Sequence, residues 1–219
     1  MATQTKLTEE QLNEGLETFS KWFPEEAENI QKHRDAIIRH IVEGTNPDAS
    51  SPLLAQSYAK VSDRDLKADL SHELTPCIQA IAVFIADVVF FLLGLVGLHV
   101  SNQERITRAL LRELGEDTLR GFLRLIHEFN SASGAVEKAK ALFSIFSGIY
   151  KAGGFSAVFK VIKDEMTWWE WLKTGVIAAA QITAWFATDG AAFIAEVALN
   201  IMSAEQLIED GIKVGKCCP

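Results

Sequence analysis

From Ile78 to Val100 the chain runs for 23 residues in which only Gln79, Asp87 and His99 are polar. Thr75-Pro76 in front of the run is a helix-opening pair, and a helix of that length matches a hydrocarbon layer of about 30 Å. A chain with such a segment has two solutions: wrap it in other helices, or place it in lipid. The fifteen Ile, Val, Leu and Phe residues of the run favour lipid by roughly −4.5 to −9 kcal/mol, against about +2.5 to +3.5 kcal/mol for Asp87 near the centre. Insertion is favourable by a few kcal/mol on this reckoning, and protonation of Asp87 in acid removes most of the opposing term.

The rest of the chain reads as soluble helix. Thr8 with Gln11, Ser101 with Glu104 and Thr167 with Glu170 are capping boxes, each opening a helix. Pro24-Glu25-Glu26 suits a first turn, and Ile30, Ile37, Ile38 and Ile41 follow at helical spacing up to Gly44. Gly115 and the pair Gly153-Gly154 punctuate the middle, and Thr188-Asp189-Gly190 turns the chain into a last helix expected to end near Gly211. The pattern predicts an all-α, compact multi-helix bundle of about 8–10 helices. It contains a long hydrophobic helix over about 76–100 and an Ala-rich C-terminal helical hairpin over about 168–211. Residues 1–219 read as one domain, with an N-terminal helical hairpin over 1–44, semi-independent of the body, and a Pro- and Ser-rich loop over 45–52.

The C-terminal hairpin gathers alanines, whose small side chains let helix backbones approach closely in water or in lipid. Trp168, Trp169, Trp171 and Trp185 put four of the five tryptophans beside it, a residue favoured where an apolar side meets a wet one. Arg105, Arg108 and Arg112 share one helix face and are candidates for anionic head groups, although Glu104 and Arg108, like Glu116 and Arg120, are also spaced as i,i+4 ion pairs. A soluble shell around a buried apolar helix resembles the architecture of α-helical pore-forming domains such as those of the colicins. The resemblance is one of layout, carried by no residue-by-residue motif, and it implies membrane activity without placing a site.

Of 219 residues, 21 are basic and 29 acidic, a net charge of −8, which gives no cationic surface for nucleic acid. The first twenty residues hold no apolar core of a secretory signal, so synthesis in the cytoplasm is expected, with membrane association or export by a non-Sec route. Cys77, Cys217 and Cys218 are odd in number and lack metal-ligand spacing, which predicts neither a disulfide framework nor a zinc site and fits a reducing compartment. The terminal pair Cys217-Cys218 is a weak match to a lipidation site. Ser57-Lys60 and Lys173-Gly175 spell the S-x-x-K and K-T-G of serine acyl-transfer enzymes, but the second falls inside an expected helix, where that chemistry needs a strand. The five scattered histidines form no metal motif.

No catalytic residue, metal or cofactor is expected, and the chain does not read as an enzyme. The leading expectation is a soluble, toxin-like protein, pore-forming or membrane-perturbing, that exposes its hydrophobic helix to lipid, forming homo-oligomers there. Phe84, Asp87, Phe90, Phe91, Leu92 and Leu95, with the four tryptophans, are the insertion or apolar-ligand candidates. The alternatives are a helical carrier for a lipid or other hydrophobic small molecule and a protein-interaction scaffold.

Overall fold

The computed structural model describes residues 7–48, 51, 75–97, 103–164 and 166–218, and among these it is all helix with no strand. The elements are α1 (Glu9–Trp22), α2 (Ala27–Lys32), α3 (Arg34–Glu43), α4 (Pro76–Leu95), α5 (Gln103–Gly121) and α6 (Leu123–Ser131). There follow α7 (Ala135–Lys151), α8 (Gly154–Lys163), α9 (Trp168–Ala187), α10 (Ala191–Asn200), a 3₁₀ turn (Ile201–Ser203) and α11 (Glu205–Cys217). Two capping boxes form as the sequence predicts, with Thr8 accepting from the Gln11 amide and Thr167 from the Glu170 amide. The third, at Ser101, and the Ser57-Lys60 stretch lie outside the described residues. Lys173-Thr174-Gly175 lies within α9.

Three boundaries differ from the sequence expectation. The apolar helix is 20 residues long, not 23; it stops at Leu95 because Gly97 takes a left-handed φ of 79° two residues later, the usual way a helix is closed. His33 divides the helix expected from Pro24 to Gly44 into α2 and α3. The last helix breaks at Ile201–Ala204, where Asn200 and Ser203 turn their side chains onto the carbonyls of Glu196 and Asn200, a local bonding that competes with helix. Gly115, by contrast, interrupts α5 as expected, at φ 72° and ψ 163°.

The tightest packing joins α1 to α9. A Cβ on Gly15 would lie 2.6 Å from the Val176 carbonyl oxygen and the Ala180 amide, and one on Gly175 would meet the Phe19 ring at 2.0 Å. The two helices cross at these glycines. Leu12, Leu16, Phe19 and Phe23 thereby enter the common core, where Phe19 and Phe23 each lie 4.8 Å from the Trp171 ring. Around the junction Glu26 accepts from Lys163 at 2.8 Å and from the Trp168 indole at 3.3 Å, tying α2 to α8 and α9.

The helix α4 packs chiefly on α11 and α5, with α7 adding a smaller contact. The residue order along the α4–α11 contact is antiparallel: Cys77 meets Cys218, Phe84 faces Gly211, and Asp87 meets Asp210. Cys77 and Cys218 form a disulfide across 141 residues of sequence, with Cα atoms 5.2 Å apart. This corrects the expectation of unpaired cysteines. Spacing rules read neighbours along the chain, whereas the helix ends here are brought together only by the tertiary packing.

Candidate functional site

The site is α4 with the groups that hold it. Its sequence, Pro76 to Leu95, has one charged residue, Asp87, and a mean hydropathy of 2.4 over its most apolar window. It is long and apolar enough to cross a membrane. The bent pairs α7 with α8, at 70°, and α9 with α10 and the 3₁₀ turn, at 113°, meet the same length and composition test only when each pair is joined. Eleven of the twenty residues of α4 are buried, Phe84, Asp87 and Leu92 among them. Phe90, Phe91 and Leu95 are half-buried and Gly94 is exposed, and at the other end Pro76 and Gln79 are exposed, so the coat covers the middle of the helix best.

Asp87 is 6% exposed and Asp210, opposite it on α11, 3%. Their side chains are hydrogen-bonded to each other across the α4–α11 contact. Burial pushes the Asp210 carboxyl up, but hydrogen bonds from Asp87, Lys213 and Gln206, with the Lys213 charge, outweigh it and hold Asp210 below the usual carboxylate range. The Asp210 hydrogen bond in turn raises the Lys213 ammonium. Asp87, Asp210, Gln206 and Lys213 are thus a polar bridge in an otherwise apolar helix contact. The sequence reading named Asp87 but missed the other three. Asp210 carries a legible signal: with Leu207, Gly211 and Val214 it lies on the buried stripe of α11, and an acid on that stripe asks for a partner.

The remaining candidates are elsewhere. Trp168, Trp169, Trp171 and Trp185 are all buried. Each indole N–H finds an acceptor: Glu26, Asn46, the Phe159 carbonyl and Glu196 respectively, at 2.9–3.3 Å. They fill the core with their polar edges satisfied, and the surface patch that the scaffold alternative needs is not formed by them. Arg105 pairs with Asp164 at 3.2 Å and Arg108 with Glu104, while Arg112 is exposed. Arg120 reaches Glu116 at 3.1 Å, so this face is laced with ion pairs as its i,i+4 spacing suggests. Cys218 is held in the disulfide and cannot carry a lipid thioether at the same time; Cys217 beside it is an exposed free thiol. No group of three metal-ligating side chains occurs among the described residues.

A cleft of about 850 Å³ opens where the C-terminal end of α4 meets α1, α3, α9 and α10. Leu12, Ile41, Leu95 and Ile177 line it, with Lys173 and Gln181 among its polar groups. Comparison with known proteins finds no matching family model, no matching curated protein and no matching solved structure.

Proposed function

We propose that this protein is membrane-active: a water-soluble helical coat that delivers α4 into a lipid bilayer, where copies assemble and breach it. The observation that carries the reading is the combination within α4 of spanning length, a mean hydropathy of 2.4 and a single charged side chain. Among the described residues the α4–α11 contact is mostly apolar, and a segment held mostly by apolar contacts loses little on exchanging protein for hydrocarbon. Asp87 enters lipid only as the neutral acid, and once parted from Asp210 it takes up a proton more readily at pH 5 than at pH 7. Dye release from phosphatidylcholine–phosphatidylglycerol vesicles at the two pH values tests this. Release that rises in acid and falls at least tenfold in Phe90→Asp is the expected result; vesicles left intact at both pH values by the oxidised and by the reduced protein overturn it.

A second reading, a carrier of a hydrophobic small molecule, is favoured by the cleft of about 850 Å³, a volume suited to a ligand of lipid or drug size. Co-purified lipid seen by native mass spectrometry, together with intact vesicles, supports the carrier.

A further inference from the structure

We infer that the Cys77–Cys218 disulfide is a redox latch on α4, opened by a small thiol; the inference rests on the membrane-active reading and supplies its trigger. Three observations meet at one helix pair. The disulfide joins the second residue of α4 to the residue that closes α11. The Asp87–Asp210 bridge joins the same two helices further along. The partner α11 carries Glu205, Glu209, Asp210, Lys213 and Lys216 within its 13 residues, so it belongs in water and cannot follow α4 into hydrocarbon. While the bond stands, α11 remains at the end of α4, and any opening of the contact is an intramolecular event that closes again at high effective concentration. Breaking the bond leaves the carboxyl pair and apolar packing as the restraints between the two helices.

The chemistry is thiol–disulfide exchange. A reductant thiolate attacks Cys77, half-buried where Cys218 is only 2% exposed, and expels the Cys218 thiolate, leaving a mixed disulfide at Cys77. A second thiol attacks the reductant sulfur and frees Cys77. In sum the disulfide takes up two electrons and two protons, and two reductant thiols become one disulfide. A cytosol-like thiol pool is the class of reductant, so the latch is closed in oxidising surroundings and opens in reducing ones.

The test uses the full chain with Cys217→Ser, in which only one pairing can form. Oxidised protein is compared with protein reduced by dithiothreitol and capped with iodoacetamide, reading hydrogen exchange over residues 76–95 and dye release from the same vesicles. Retained near-UV circular dichroism in water shows that the reduced form is folded, and a Cys77→Ser, Cys218→Ser variant provides a thiol-free check where it folds. Exchange over α4 and dye release each at least tenfold faster after reduction are expected. Exchange over α4 unchanged by reduction overturns the latch. Dye release equally fast from the oxidised form also overturns it and leaves the membrane reading standing. Faster exchange on reduction with no release from either form upholds the latch on α4 and removes the membrane reading.

Discussion

Asp87 and Asp210 stand on helix faces that otherwise carry hydrocarbon, and each makes the other tolerable. Because the folded Asp210 carboxyl lies below its unfolded value of 3.8, its contribution to stability is complete above that value and is lost as pH falls from there through the folded one. Replacing Asp210 by Asn removes the charge that Lys213 and Gln206 address and is expected to cost about 1–3 kcal/mol at pH 7. The gap between the native chain and Asp210→Asn in urea denaturation should stay constant from pH 7 to pH 5 and narrow only below about pH 4. A gap that closes between pH 7 and pH 5 contradicts this assignment of the charge. Any gain in membrane activity over that interval therefore does not come from discharge of Asp210 inside the fold.

At the level of helices, what the sequence made legible is what local chemistry decides. The Thr8 and Thr167 boxes, the break at Gly115 and the apolar length of α4 follow from residues within one or two turns of each other. The partners of Cys77 and Asp87 do not, because they lie far away in the chain, and the division at His33 has no glycine or proline beside it to signal it. The glycines make the distinction testable with one substitution. Gly15 is helical yet has the α9 backbone at 2.6 Å from where a Cβ would stand, whereas nothing lies within 4 Å of the equivalent point on Gly94. Gly15→Ala is expected to destabilise by about 1–3 kcal/mol through overpacking, and Gly94→Ala to be neutral or to stabilise by about 0.5–1 kcal/mol through helix propensity. Thermal denaturation of the two variants checks the pair, and equal shifts would contradict the α1–α9 crossing.

For the molecule as a whole, the disulfide alters how stability is distributed. Closing a loop of 141 residues restricts the unfolded chain by about 5 kcal/mol on the chain-entropy account, and the restriction falls on the one element that the proposed activity must move. A protein stable in oxidising surroundings and readied by thiols follows from that placement. The aromatic cluster of Phe143, Phe146, Phe186 and Phe193 packs α7, α9 and α10 on one another, within the same hydrophobic core that α4 enters.

The most direct measurement is photocrosslinking of the reduced protein to vesicles that contain a lipid with a diazirine in mid-chain, followed by mass spectrometry of the labelled peptides. The account predicts that crosslinks concentrate between Pro76 and Leu95. Vesicles that leak while that segment stays unlabelled, with the crosslinks on other helices, would contradict it.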